Sequence, residues 1–413
     1  MALRLFCPVG VWVVALALLS ALSTPAHAFI PLGEGVTLVP VPEIITDPNE
    51  GQTVGVLATV LFTDESQRIR RIIAPDVRYN QHTGVYPMFR WYEYPSDQER
   101  FKLQAGKATT TGEFFEGIYS GEHLRAGWFD VWLRLFHEND PFERFYGFGN
   151  NTTSADETNY TSDTGLVQGY IGVNVYDTVQ VGTQTRWRVV RVRKGPLDSV
   201  TQLVTDPAFA GTPGIDGATI VGQRFNLRYD SRDDIFISTE GAFADAGFEV
   251  VDKALGSSAS YLRYGLEGRS FLPLRRDKRF ILASQAALDY MQHGDQAPFY
   301  DRSPLGGEHS LRGFGSNRFI DNDRFFARSE LRINVWEPRW INETFNVRGH
   351  LEVAPFLEIG RVFASSHTFP LDNPHVDGGL ALRAVIPPTL VAYLDVASAG
   401  GSATVFTGVD YPF

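Results

Sequence analysis

Charged and apolar residues alternate along this chain with a period of two. In the stretch 323–336, Arg324, Phe326, Arg328, Glu330, Arg332 and Asn334 fall on one face, and Phe325, Ala327, Ser329, Leu331, Ile333 and Val335 on the other. That division follows because successive side chains of a strand point to opposite sides. The stretch 347–362 repeats it, with Arg348, His350, Glu352 and Glu358 against Val347, Leu351, Val353, Leu357 and Ile359. Two consecutive charged faces cannot both be turned into an apolar core. Either each polar face meets water on the outside of a soluble sandwich, or the polar faces line a lumen and the apolar faces meet lipid.

The same reading predicts strands near 53–63, 69–79, 83–94, 98–107, 122–137, 160–175, 178–193, 219–230, 235–249, 258–271, 278–292, 323–336, 346–361, 377–386, 390–399 and 403–413. These make about sixteen strands, an even number as single-chain bacterial barrels have. The segment between Ala108 and Gly121 is left open, as an extra strand or a folded-in loop. Short turns such as 230–234 and Pro387-Pro388 alternate with long loops near 138–159, 194–218, 293–322 and 362–376. That is the asymmetry of an outer-membrane barrel, with short turns on the periplasmic side. The expected fold is all-β, a transmembrane antiparallel β-barrel with an inward-folded loop.

Both ends of the chain favour lipid over the sandwich. Met1 to Ala28 carries one basic residue, Arg4, an apolar run from Val9 to Leu22, and Ala26-His27-Ala28, as a secretory signal does. The apolar run is shorter than the ~20 residues that span a bilayer. Residues 1–28 are therefore expected to be a signal peptide, 29–52 a short periplasmic segment and 53–413 the barrel. At the other end Val409, Tyr411 and Phe413 share a face, and aromatic rings there suit a membrane interface.

Composition agrees with this reading. Mean hydropathy is -0.13 although aromatics reach 13%, as when the apolar face is hidden by alternation. The only cysteine, Cys7, precedes the apolar run, so neither a disulfide nor a cysteine metal site is expected. A net charge of -11 without a basic cluster argues against nucleic acid as a partner. The histidines are scattered and no G-x-S-x-G, phosphate loop or paired metal-ligand motif occurs, so neither enzymatic activity nor a cofactor is expected.

Four motifs in the second half follow one another in a set order. They are Leu311-Arg312-Gly313-Phe314, preceded by Pro304-Leu305-Gly306-Gly307; Glu330-Leu331-Arg332; Phe356-Leu357-Glu358-Ile359-Gly360; and Gly378-Gly379-Leu380-Ala381-Leu382-Arg383 with Pro387. In this order they resemble the outer-membrane insertase and transporter superfamily, which takes in the barrel-assembly-machinery barrel, the two-partner secretion transporters and the bacterial surface antigens. The resemblance implies that Arg312 reaches into the lumen and pairs with Glu330 and Glu358. Both glutamates also fall on the polar face by periodicity alone. Arginine suits the task because its planar fork bonds two carboxylates and stays charged when partly desolvated. Gly306, Gly307, Gly313 and Gly315 would let the loop turn tightly. Glu358 stands where the family more often has aspartate.

Members of that superfamily that handle client proteins usually carry periplasmic POTRA domains before the barrel. Residues 29–52, Pro-rich in LVPVPEIITDP, are too few to build such a core. The resemblance implies outer-membrane protein assembly or translocation, with the lipid bilayer, lipopolysaccharide and unfolded outer-membrane clients or an accessory periplasmic protein as partners. It would work by opening a seam between the first strand, near 53–63, and the last, near 402–413. The alternative is a pore or surface-antigen barrel that passes small solutes. Two further segments have two readings each. Phe145-Tyr146-Gly147-Phe148-Gly149-Asn150 is either a loop motif or an ordinary membrane rim. Arg186, Arg188, Arg191, Arg193 and Lys194 either meet lipopolysaccharide phosphates or form a lumen ladder.

Overall fold

The computed structural model describes residues 30–413, apart from 48, 66–67, 339–348, 365–371, 388–389, 402, 410 and 412–413. The segment expected to be a signal peptide, and Phe413, lie outside the described residues. Within them, one antiparallel sheet closes on itself. The first half of its wall is Val36–Asp47 (β1), Gly51–Thr63 (β2), Ile69–Ile73 continued by Asp76–Asn80 (β3), Gly84–Glu93 (β4), Glu99–Lys107 (β5), Glu113–His123 (β6), Phe129–Phe145 (β7), Thr158–Tyr176 (β8) and Val179–Lys194 (β9). The second half is Ala218–Asp230 (β10), Gly241–Val251 (β11), Tyr261–Pro273 (β12), Phe280–Gln292 (β13), Asp323–Trp336 (β14), His350–Phe363 (β15), His375–Ile386 (β16), Leu390–Ser398 (β17) and Thr404–Val409 (β18). Each strand pairs with the next, and β18 returns to β1 where Thr46 lies opposite Val405. Strand-to-strand pairing satisfies the backbone groups within the wall, as hydrocarbon demands, and closure brings the last strand back to the first.

The described wall has eighteen strands rather than about sixteen. One addition is β6, in the segment left open. The other is β1, which corrects the expected N-terminal boundary: Val36–Asp47 is wall, paired along its length with β2, and Ile30–Gly33 doubles back on it. Pro40 and Pro42 disguise it, since proline is confined to sheet edges. A third correction is at 235–240, which is not strand; β11 begins at Gly241.

The period-two pattern is realised as burial. On β15, Glu352, Ala354, Phe356, Glu358, Gly360 and Val362 are buried while Leu357 is 61% exposed. Leu227, Leu266, Trp187 and Ile171 are likewise exposed on other strands. An apolar outer face with an ionic interior inverts the soluble arrangement and fits a wall in lipid. The core thus lies in the lumen, which the strands' inward faces line and the loop 293–322 enters.

Candidate functional site: the inward loop and the seam

The loop leaves the wall after β13 and forms a stem in which Ser303–Leu305 pairs with Phe319–Asp321. Gly306 and Gly307 have φ of 115° and 93°, a region that costs glycine nothing and other residues dearly. They reverse the chain so that residues 310–314 form a tip. Leu311 is buried among Leu305, Phe319, Phe326 and Val362, and Phe314 packs against the same cluster.

Arg312, on that tip, has no exposed surface. Its Nε donates to Glu358 Oε1 at 2.8 Å and its backbone N–H to Glu358 Oε2 at 2.7 Å. One terminal nitrogen lies 2.5 Å from Asp395, and the guanidinium stacks on Phe356 at 3.4 Å from the ring centre. Glu330 is 3.9 Å away, an ionic contact without a hydrogen bond. It is bonded instead by Arg332 at 2.6 Å and by both terminal nitrogens of Arg383 at 2.9 and 2.8 Å. Of the two expected partners, Glu358 is therefore hydrogen-bonded and Glu330 is not; the second hydrogen-bonded carboxylate is Asp395 on β17. Burial alone would lower the Arg312 guanidinium, but the charges of Glu358, Asp395 and Glu330 raise it above its ordinary value.

Arg312 is one of several ties between this tip and the last strands. The Gly313 N–H donates to Asp377 on β16 at 2.8 Å, and the Thr404 hydroxyl of β18 donates to the Arg312 carbonyl. A Cβ on Gly313 would come within 2.7 Å of Asp377 and 2.9 Å of the Ala399 nitrogen, so only glycine allows this approach. One turn of loop thereby holds β15, β16, β17 and β18 together.

A second anchor was not expected from sequence. Asp301, in the same loop, accepts from both terminal nitrogens of Arg186 at 2.7 and 2.8 Å and from Arg188 at 3.3 Å, with Arg263 at 3.6 Å. The Tyr261 hydroxyl also donates to it. Burial alone would raise this carboxyl, but the surrounding arginines hold it well below the usual carboxylate range. Arg186 and Arg188 are thus lumen residues, while Arg191 and Arg193 face Asp163. The one available signal was their spacing of two, which puts them on one face. The loop is pinned to β9 and β12 at one end and to β15–β18 at the other, and so crosses the lumen.

Phe145 is also interior. It is fully buried with Tyr160, Leu203, Phe299 and Ile320 rather than at a membrane rim. Tyr411 likewise corrects the expectation of an interfacial ring: Arg332 stacks on it at 3.9 Å, and its hydroxyl donates to Glu352 at 3.3 Å. The side chain of Val409 lies outside the described residues.

The seam itself is sparse. Among the described residues β18 meets β1 at one register position, whereas β1 and β2 pair from Val36 to Asp47. Thr63 N–H bonds to Gly35 carbonyl. Because bonded and non-bonded positions alternate in an antiparallel ladder, that bond turns the even-numbered backbone groups of β1 toward β18. Pro40 and Pro42 sit at even positions and have no N–H to offer.

Residues 123–390 match the Omp85 superfamily domain. The chain belongs to the Omp85 superfamily. Its fold is similar to that of BamA from Haemophilus ducreyi lacking POTRA domains 1-3, with a TM-score of 0.53 at 14% identity over 96% of this chain and 77% of that one. It is also similar to CdiB from Escherichia coli, with a TM-score of 0.51 at 11% identity over 92% of this chain and 63% of that one. Against this Omp85 frame, Leu311-Arg312-Gly313-Phe314 is the tip of the lumen loop, and Asp301 is an additional anchor of that loop.

Proposed function

We propose that this Omp85 barrel resides in the bacterial outer membrane and assists the insertion or translocation of client polypeptides there, by parting β1 from β18 so that a client strand pairs with the freed edge. The observation that carries this reading is an imbalance around the seam. The loop tip fastens β18 to β15, β16 and β17 through Thr404, Glu358, Asp377 and Asp395, while β1 presents to β18 an edge that lacks two donors. The weakest line in the wall therefore lies between its first and last strands, and the strand beside it is held in place when it parts.

The test uses the protein folded into liposomes, with a denatured reporter barrel whose membrane integration is timed. In a Cys7→Ser background, Thr46→Cys and Val405→Cys, directly opposite in the ladder, fall within reach of a disulfide. Wild type should speed integration, the oxidised pair should abolish the effect, and reductant should restore it. Acceleration that survives the closed disulfide would overturn the seam mechanism; no acceleration by wild type would overturn insertion.

A further inference from the structure

The connection between β10 and β11 lies on the short-turn side, yet Ser231–Glu240 is too long for a simple reversal and it runs inward. Asp234 accepts the backbone N–H groups of Phe236 and Ile237 at 2.7 and 2.8 Å, and the Ser238 hydroxyl donates to its carbonyl at 2.6 Å. Asp233 accepts those of Thr239 and Glu240 at 2.9 and 3.0 Å, and Lys278 of the neighbouring turn donates to it at 3.0 Å. The two carboxylates use local N–H groups to fix a compact shape.

What this shape reaches is distant around the wall. Ile237 is buried against Val385 and Val391, at the ends of β16 and β17, with Phe236 and Tyr411 in the same cluster. The Ser238 carbonyl accepts from Arg332 of β14 at 3.3 Å. In the other direction, the Arg100 guanidinium of β5 lies 3.8 Å from the centre of the Phe236 ring. A turn rooted at β10 and β11 thus touches β5 on one side and β14, β16 and β17 on the other. It does so at the end of the barrel where β16 ends and β17 begins. An Ile-Phe pair placed there excludes water by burial rather than by fit to a single neighbour.

We propose that Ser231–Glu240 is a built-in stopper of the periplasmic mouth, and that the lumen conducts only when Phe236 and Ile237 withdraw.

Two variants test this: Phe236→Ala with Ile237→Ala, which keeps both aspartate-bound turns, and replacement of residues 232–241 by Asn-Gly, which joins β10 and β11 directly. Each is folded into a planar bilayer, with folding checked by heat-modifiable gel mobility. Wild type should be nearly silent, and both folded variants should conduct at least severalfold more. In parallel, a Val385→Cys thiol in the Cys7→Ser background should react with a maleimide at least tenfold faster once the turn is shortened. A wild type that already conducts as an open barrel, or a folded variant whose conductance and labelling match wild type, overturns the stopper. Conductance does not depend on client insertion, so this result and that of the seam disulfide can fail separately.

Discussion

Replacing Arg312 by alanine removes the cation around which three lumen carboxylates are arranged. Asp395 loses its hydrogen-bonded arginine, and Glu358 keeps the Arg312 backbone N–H, an Arg328 contact at 3.8 Å and its contact with Asp377. Leaving a buried charge without its partner costs about 3–5 kcal/mol, so Arg312→Ala should lose that much stability. A double-mutant cycle apportions the loss. A charge-assisted hydrogen bond contributes about 1.5–3 kcal/mol, so Arg312 and Asp395 should couple by about 2–3 kcal/mol. Arg312 and Glu330 should couple by less than about 1 kcal/mol, because at 3.9 Å they share no hydrogen bond and Glu330 is occupied by Arg332 and Arg383. The assay is urea unfolding of liposome-folded protein, read by heat-modifiable gel mobility. A Glu330 coupling equal to or above that of Asp395 would refute the assignment, and a loss below about 1 kcal/mol for Arg312→Ala would refute the buried-charge argument.

The second anchor should behave alike: Asp301→Asn strips the counter-charge from Arg186, Arg188 and Arg263 and should cost about 3–5 kcal/mol, part of it recovered by adding Arg186→Gln. At Gly379, a Cβ would sit 2.0 Å from the Val396 carbonyl oxygen, so Gly379→Ala should destabilise by about 1–3 kcal/mol in the same titration. Asp233 in the stopper turn is held at about 2: burial would raise it, but the Thr239 hydroxyl, the N–H groups of Thr239 and Glu240, and Lys278 lower it further. A depressed carboxyl stabilises above its unfolded value and loses that contribution as pH falls, so wild-type conductance in a planar bilayer should be flat from pH 8 to about 5 and rise from about pH 4 toward 2. Finally, Pro40→Thr with Pro42→Thr returns two donors to the seam edge and should slow reporter integration relative to wild type.

Alternation decided the architecture before any contact was known. A strand that carries Arg328, Glu330 and Arg332 on one side and Leu331 and Ile333 on the other has to find polar partners on the first face, and side-chain direction in a strand is fixed by its period of two. The same periodicity placed Glu330 and Glu358 in the lumen, and the glycines of the loop announced a tight reversal that the positive φ of Gly306 and Gly307 realises. Partner choice was not legible, because it depends on which strands stand side by side. Asp395 lies 83 residues from Arg312 and looks in sequence like any other inward residue of an apolar strand. Asp301 is equally plain until β9 and β12 bring three arginines around it. The prolines of β1 argued against a strand because local propensity assumes a donor on both edges; the tertiary structure overrides this by putting the missing donors at the seam. Ser231–Glu240 gave no sign of its role, since whether a ten-residue turn faces water or the mouth of the barrel is decided only by the wall opposite.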